Sequence, residues 1–309
     1  MFWHEALFYS SMDEYLSGTV PFLREGIMAD EAALVVVPTD RHAALREALG
    51  VDAKAVRFRD MAEVGRNPNN IIPWVLRPFI AEHDPRPVRI VGEPVYSGRR
   101  AEELDPCVQH EAVINLALAD GEASILCPYN VAALPEMVTA AEQTHQVIVQ
   151  ASGRQKNCAY RDPQEVVEEH NRPLAEPDTV DAVFVFDEPR FAQLRQLIAR
   201  HAVTAGAPPR RVFDAQTAVT EIATNALTHG GPSIATFRAW SHPGRVVYEI
   251  RGAGRITDPL AGRVVPPPDA PHGRGLVVAN RLCDLIQTYT VVTGTVTRMH
   301  LTFDPHGSD

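Results

Sequence analysis

Apolar and polar positions follow different patterns in the two halves of the chain. In the first half, continuous apolar runs are separated by amphipathic stretches, and such runs are typical of strands buried on both faces. The predicted strands lie at residues 32–38, 56–58, 88–91, 123–127 and 146–150. The predicted helices lie at about residues 40–50, 72–81, 106–119 and 132–143. Strands that alternate with helices predict βα units and a parallel sheet.

The second half has another order of elements. A strand at 182–186 precedes two long helical patterns, and two strands then alternate as half-buried strands do. The helical patterns cover 189–204 and 210–228, and the two strands cover 234–240 and 245–251. A helix over 275–286 and a hairpin with Thr293 and Gly294 at its turn complete the pattern. This order predicts an α+β domain in which a sheet of mixed strand direction carries helices on one face.

A polar stretch with two prolines, residues 173–179, separates the two patterns and is the predicted linker. The predicted domains therefore cover residues 1–172 and 180–305.

Composition narrows the classes of function. The 309 residues include 29 basic and 39 acidic side chains, a net charge of −10. Direct binding to DNA is therefore not expected, because it needs a cationic face. The four cysteines lack the pair spacing of a zinc site, which favours buried reduced thiols. No apolar stretch reaches the roughly 18 residues of a membrane span, and the first residues lack the order of a signal peptide. We expect a soluble cytoplasmic protein without membrane contact.

The most informative motif lies on the second long helix of the C-terminal half. Glu221, Asn225 and His229 are spaced four residues apart, so they share one helix face. An amide oxygen suits Mg²⁺, and a carboxylate one turn away can orient or deprotonate a nucleophile. The same spacing also occurs on an ordinary polar helix face.

Glycines downstream favour a functional interpretation of this face. Gly252 and Gly254 follow a predicted strand, and Gly273 and Gly275 open a predicted helix. A glycine-rich loop that leads into a helix offers backbone N–H groups to phosphates. Arg251 and Arg255 flank the first glycine pair and are either phosphate contacts or solvated surface arginines.

These motifs in order resemble the Bergerat-type (GHKL, HATPase) ATPase fold, and most of all the bacterial anti-sigma-factor serine kinases. The resemblance is carried by EIATNALTHG (221–230), ITDPLAGR (256–263) and GRGLVVANRLCD (273–284). It implies ATP and Mg²⁺ as cofactors, Asn225 as the magnesium ligand, and Glu221 as the catalytic residue that assists the attacking hydroxyl. The implied nucleotide pocket contains Asn225, His229, Ile250, Gly252, Gly254, Gly273, Arg274, Gly275, Leu276 and Thr295. The implied partner is a sigma factor or an anti-anti-sigma protein, and a homodimer follows by analogy.

The sequence departs from this family at one position. The family's Asp-x-Gly-x-Gly box places an adenine-binding Asp where this chain has Ile250, and neighbouring Glu249 should point to the opposite face of the strand. A charge-assisted hydrogen bond contributes about 1.5–3 kcal/mol, so its loss should weaken adenine binding about 10- to 150-fold. Three possibilities remain open for this domain: an active kinase, a pseudo-kinase that binds a partner, and a domain adapted to another ligand. The alternative function is a non-catalytic nucleotide- or metabolite-binding sensor module. A metabolic enzyme is disfavoured, since G-x-S-x-G and H-E-x-x-H are absent.

Motifs of the first half resemble the MEDS (methanogen/methylotroph sensory) domain. They are HEALFY (4–9), PFLREG (21–26), RIVGE (89–93), His110-Glu111 with Asn115, and CPYN (127–130). The resemblance implies a RecA/KaiC-like parallel sheet without a P-loop, and a sensory role. The family usually carries Asp at the position of Asn130.

The same residues suggest a pocket for an unknown small ligand. Ligands of parallel α/β sheets bind at the carboxyl ends of strands, where Glu93 and Tyr129 are predicted. The candidate sensory residues are His4, Tyr9, Glu93, Glu111, Cys127, Tyr129 and Asn130. Structural alternatives are a hydrogen-bonded core histidine for His4, an ion-pair partner for Glu93 and a core thiol for Cys127.

Overall fold

A computed structural model describes residues 2–150, 153–228, 234–270 and 273–304. The chain forms two compact units, Met1–His170 and Asn171–Asp309. We call them the N-terminal and C-terminal domains.

The N-terminal domain is built on a seven-stranded sheet. Its strands are β1 (Trp3–Tyr9), β2 (Ala32–Val37), β3 (Val56–Asp60), β4 (Val88–Gly92), β5 (Ala123–Asn130), β6 (Val147–Gln150) and β7 (Gly153–Lys156). Their order is β3-β2-β4-β5-β1-β6-β7, and every pairing is parallel except that of β6 with β7. All residues of β2 and β4 are buried, which explains their continuous apolar runs. The parallel sheet predicted from the sequence is confirmed, with an antiparallel edge strand added.

Helices connect these strands. They are α1 (Met12–Met28), α2 (Thr39–Leu49), α3 (Met61–Val64), α4 (Arg77–His83), α5 (Ala101–Ala117), α6 (Val138–Thr144) and α7 (Pro163–Glu169). The apolar pattern of the sequence predicts no helix at α1 or α7. The predicted start at residue 132 was wrong, because the Asn130 carboxamide accepts hydrogen bonds from the N–H groups of Ala132 and Ala133 and forms a turn there. The predicted helix at 72–81 begins as a π-helical turn, Ile72–Leu76, before α4.

The C-terminal domain is a five-stranded sheet with helices. The strands β8 (Ala182–Phe186), β9 (Ala235–His242), β10 (Arg245–Gly252), β11 (Leu285–Val291) and β12 (Gly294–Thr302) lie in the order β11-β12-β10-β9-β8. The helices are α8 (Phe191–Thr204), α9 (Pro209–Thr228) and α10 (Arg274–Leu282). Residues of all three helices share a core with alternate residues of the sheet, including Phe237, Tyr248 and Met299.

Two predictions about this domain were wrong. The sheet is not mixed, since all four pairings are antiparallel, as the hairpins β9–β10 and β11–β12 require. The predicted helix 275–286 ends at Leu282, because Leu285 and Ile286 pair with His300 and Met299 in the sheet. Within the described ranges, no helix combines the length and apolar character that crossing a bilayer requires.

Candidate functional site

A cavity of about 520 Å³ lies in the C-terminal domain. Helix α9, strands β10 and β12, and the segment between β10 and α10 contribute to its wall. Many residues of the predicted nucleotide pocket line it, namely Asn225, Ile250, Gly252, Gly254, Gly273, Leu276 and Thr295. The domain thus brings together positions from four separate segments of the sequence.

The polar face of α9 meets the first turn of α10 beside this cavity, where Asn225 belongs to the cavity lining and Glu221, Arg274 and Gly275 do not. Helix α9 buries Val219, Ile222 and Ala223 in the core, which leaves Glu221 and Asn225 partly exposed. A Cβ atom at Gly275 would lie 2.6 Å from Glu221 Oε2 and 3.4 Å from Asn225 Nδ2. A larger residue at this position would displace the Glu221 carboxylate. A helix N-terminus beside an amide and a carboxylate is suited to phosphate and a hard cation.

Strand β10 presents Ile250 and Gly252 to the cavity. Glu249 lies on the opposite face, as strand alternation predicts, and is fully buried. Its carboxylate accepts hydrogen bonds from Arg298 Nη2 at 2.7 Å, Arg251 Nε at 2.7 Å and Arg238 Nη1 at 3.0 Å. Glu249 is therefore committed to an ionic network and supplies no carboxylate to the cavity.

The flanking arginines differ in position. Arg251 belongs to the network of Glu249 and also donates to Glu176 Oε1 at 2.7 Å, which takes it away from the cavity. Arg255 is exposed and lines the cavity. Glu176 lies in the predicted linker, and its pairs with Arg251 and Arg238 place that segment against the C-terminal sheet.

One acidic residue of the cavity escaped the sequence analysis. Asp258 lines the cavity from the segment after β10, and its Oδ1 accepts a hydrogen bond from Leu260 N at 2.9 Å. Its only signal was its place in the ITDPLAGR motif.

Two further predicted pocket residues have other surroundings. Arg274 Nη2 donates to Pro267 O at 3.0 Å and to Pro268 O, so it braces the proline segment. His229 lies outside the residues that the structure describes.

The predicted sensory residues of the N-terminal domain separate into two groups. The first lies where strands β1 and β4 end. Tyr9 Oη donates to Glu93 Oε1 at 2.8 Å, and Arg41 Nη2 donates to Tyr9 Oη at 3.4 Å. Burial raises the pKa of Glu93 to about 7, although the Tyr9 hydrogen bond and Arg41 oppose the shift. Arg41 lies in none of the motifs that carry the family resemblance, so the sequence did not indicate it.

The second group is deeper in the same domain. His4 Nε2 lies 3.0 Å from Glu111 Oε2 and 3.4 Å from Cys127 Sγ, and Cys127 Sγ lies 3.5 Å from Glu111 Oε2. His145, which no motif in the sequence indicated, lies beside His4 with a distance of 3.9 Å between the ring centroids and an angle of 38° between the ring planes. Burial lowers the pKa of both histidines to about 3. Both rings are therefore neutral at physiological pH.

Tyr129 and Asn130 complete the predicted set. The Tyr129 ring meets the His145 ring edge-on at 5.5 Å, so Tyr129 belongs with the deeper group. Burial and then the charge of Glu111 raise the pKa of the Tyr129 hydroxyl. Asn130 forms the turn after β5 instead of joining either group.

Comparisons with known proteins agree with this division of the chain. Residues 3–146 match the family model of MEDS, the MEthanogen/methylotroph, DcmR Sensory domain. Residues 184–301 match the model of the Histidine kinase-like ATPase domain. The chain thus carries a MEDS domain followed by a histidine kinase-like ATPase domain, as predicted from its motifs.

Among solved structures, the chain resembles the RsbU and RsbW domains of Rv1364c from Mycobacterium tuberculosis. The match has 16% sequence identity and a TM-score of 0.30, and it covers 40% of this chain and 32% of the other. The chain therefore spans about a third of that structure's length. No curated protein matches the chain.

Domains of the histidine kinase-like ATPase class in general bind a nucleotide with Mg²⁺. The end of the cavity near the N-terminus of α10 fits such a ligand, because it is lined by Asn225, which offers an amide oxygen, and by Gly273, the N-cap residue of α10. At the strand end, positions 250 and 252 carry no acceptor side chain.

Proposed function

We propose that the chain is a bacterial signalling regulator in which the MEDS domain controls an anti-sigma-factor-like ATPase domain. That domain binds a sigma factor or an anti-anti-sigma protein, and it acts as a pseudo-kinase with weakened affinity for ATP. Residues 1–172 form the sensory part, whose parallel sheet is related to that of the RecA/KaiC-like proteins. Residues 180–305 form the ATPase-like part, after the linker 173–179.

The observation that carries the pseudo-kinase proposal is the apolar wall at Ile250. This side chain is 1% exposed and lines the cavity where the family carries its adenine-binding Asp. Glu249 is held by three arginines on the other face and is no substitute. The Glu221–Asn225 pair of the family motif is retained, and Asn225 lines the cavity, so the domain combines retained magnesium chemistry with reduced recognition of the base.

The sensory half of the proposal rests on the group formed by Tyr9, Arg41 and Glu93. Each has charge or hydrogen-bonding capacity at the carboxyl edge of a parallel sheet, where ligands of such sheets bind. Glu93 Oε2 and Arg41 Nε form an ion pair at 4.0 Å, so Glu93 is an ion-pair partner of Arg41, but neither atom has a hydrogen-bond partner among the described residues. A small polar ligand would satisfy both atoms.

Calorimetry of Mg·ATP binding tests the nucleotide part. We expect weak or undetectable binding by the native chain and binding about 10- to 150-fold tighter by Ile250→Asp. Ile250→Asn serves as the matched control, because Asn has nearly the same shape as Asp without its charge. The difference in ATP affinity between the two variants therefore measures the contribution of the carboxylate. Melting curves establish that both variants fold.

Tight binding by the native chain would overturn the pseudo-kinase proposal. The variant Asp258→Asn then shows whether Asp258 supplies the missing acceptor, because its affinity for ATP should fall if it does. A melting shift with a non-adenine metabolite and none with ATP would favour the sensor-module alternative instead.

The partner is tested separately. Purified sigma factors and anti-anti-sigma proteins of the source organism are mixed with the full chain, with and without Mg·ATP, and analysed by size exclusion with light scattering. We expect one of them to form a complex, with no transfer of labelled phosphate to a serine. The regulatory proposal is wrong if none of them binds.

A further inference from the structure

The deeper group of the N-terminal domain unites side chains from four segments. We call it the His–Cys–Glu cluster, and it consists of His4 on β1, Glu111 on α5, Cys127 on β5 and His145 directly after α6. One nitrogen, oxygen or sulfur atom of each lies within 4.8 Å of those of the other three. All four residues are 2% exposed or less. Such a set in a core requires an explanation, because buried polar groups are normally paired.

Hydrogen bonds at the outer edge of the cluster determine which nitrogen of each imidazole faces inward. His145 Nδ1 lies 2.8 Å from Ala141 O, and His4 Nδ1 lies 3.2 Å from Asn115 Oδ1. The Asn115 amide group donates from Nδ2 to Thr144 O at 2.9 Å and to Glu111 O at 3.1 Å, which assigns Oδ1 to the side of His4. Each Nδ1 therefore carries the proton. The Nε2 lone pair of each ring points into the cluster.

The interior of the cluster then holds more acceptors than donors. His4 Nε2 and His145 Nε2 lie 3.0 and 3.5 Å from the same atom, Glu111 Oε2. The only proton donor supplied by the four inward atoms is the Cys127 thiol, which can serve one acceptor at a time. His145 Nε2 has no hydrogen-bond partner among the described residues. Two lone pairs and a carboxylate oxygen at these distances call for a cation between them.

We propose that the His–Cys–Glu cluster is a site for a divalent transition metal of the Zn²⁺ class. The ligands are His4 Nε2, His145 Nε2, Cys127 Sγ and Glu111 Oε2. Metal–ligand bonds of about 2.0–2.3 Å in a tetrahedron place ligand atoms about 3.3–3.6 Å apart. Four of the six separations, at 3.0, 3.4, 3.5 and 3.5 Å, are close to those edges, and the other two are at most 4.8 Å. Two imidazoles, a thiolate and a carboxylate match zinc, while Mg²⁺ and Ca²⁺ prefer oxygen alone.

The surroundings of the His–Cys–Glu cluster resemble those of metal sites in other proteins. Histidine ligands usually donate their other N–H to a carbonyl or carboxylate, which holds the ring in place, and both histidines here donate to a carbonyl oxygen. With four protein ligands and no exposed face, the site leaves no open position for a substrate and is of the structural kind. Metal binding displaces the Cys127 thiol proton and ties β1, β5, α5 and the end of α6 together. This site is independent of the nucleotide proposal.

Metal binding by the full chain tests the proposal. The protein is stripped with a chelator, dialysed against Co²⁺ or Zn²⁺, and analysed for bound metal and for visible absorption. We expect one equivalent of metal, tetrahedral Co²⁺ bands and a thiolate-to-cobalt charge-transfer band. Cys127→Ser should lose that band, whereas Cys107→Ser, a buried cysteine outside the cluster, and Cys158→Ser, an exposed one, should keep it.

The native chain also provides a test that needs no variant. Its melting temperature should rise when Zn²⁺ is added to the stripped protein and fall again with a chelator. Absence of both metal retention and the melting shift would overturn the proposal, whether or not the variants fold. Equal cobalt spectra for the native chain and Cys127→Ser would also overturn it, since the thiolate ligand would then lie elsewhere.

Discussion

The two domains hold their candidate chemistry in opposite environments. The His–Cys–Glu cluster and Glu93 are sealed in the core of the N-terminal domain, with exposures of 2% or less. The candidate nucleotide site of the C-terminal domain is an open cavity of about 520 Å³; its lining residue Asn225 and the neighbouring Glu221 are both partly exposed. Solvent reaches one set of polar groups and not the other.

This difference determines what a change in each domain should affect. A sealed polar group loses its hydration on folding, so its partners and its protonation contribute directly to the free energy of unfolding. A partly exposed group keeps much of its hydration, so its loss affects ligand affinity more than stability. The MEDS domain is therefore expected to respond through its stability, and the ATPase-like domain through binding.

The largest expected effect on stability lies in the C-terminal domain and would break the contrast between the two domains. Glu249 is a fully buried charged group on the face of the sheet opposite the cavity. Glu249→Ala leaves buried Arg298 without its carboxylate partner and should cost about 3–5 kcal/mol in the free energy of unfolding. Urea denaturation followed by circular dichroism measures it. Glu176→Ala, which removes an exposed member of the same network, is the control and should cost less than about 1 kcal/mol. Similar costs for both variants would show that the network acts as a surface feature.

The second effect is a pH dependence in the N-terminal domain. Because the pKa of Glu93 is about 7 when folded against the ordinary 4.5, the folded state binds the extra proton, and stability falls as pH rises from about 4.5 to about 7. The shift corresponds to roughly 3 kcal/mol. Unfolding free energies of Glu93→Gln across this range should lose that slope. The exposed Glu136→Gln should retain it, and an unchanged slope in Glu93→Gln would contradict the assignment.

A smaller effect is expected where β12 begins beside the cavity. Gly294 has φ +143°, and a Cβ there would lie 2.1 Å from Gly252 O. Gly294→Ala should therefore cost about 1–3 kcal/mol, from backbone strain and displacement of the strand ends. Gly206→Ala has φ +83° with open space around its Cβ, so it reports strain without the contact. Equal melting temperatures for the two variants would show that the contact costs nothing.

The smallest expected effect on stability comes from a substitution at Glu221, beside the open cavity, and it tests the contrast between buried and solvent-exposed sites. Glu221→Gln keeps the shape of a partly exposed side chain, so its unfolding free energy should change by less than about 0.5 kcal/mol. Mg·ATP calorimetry on Glu221→Gln in the Ile250→Asp background, where binding is expected to be measurable, follows the binding consequence. A destabilisation of several kcal/mol would place Glu221 among the sealed groups.

Elements with strong local patterns could be predicted from the sequence. The all-buried strands β2 and β4 and the amphipathic helix α9 each carry a complete periodic signal. Helix α1 contains Pro21, and the apolar start of β11 comes only two residues after α10, so the local pattern did not predict either helix correctly. In each case, pairing or packing with a distant segment overrode the local preference.

The candidate sites divide in the same way. The sequence by itself determined the order of the two domains, the glycines and the Glu221–Asn225 pair, because these signals depend on spacing along one helix or one turn. Only the tertiary structure decided that His145 joins His4, that Arg41 meets Glu93, and that Arg251 turns to Glu249. These contacts join residues far apart in the chain, and no periodicity encodes them. They form because the sheets bring distant strand and helix ends together, where buried polar groups must find partners.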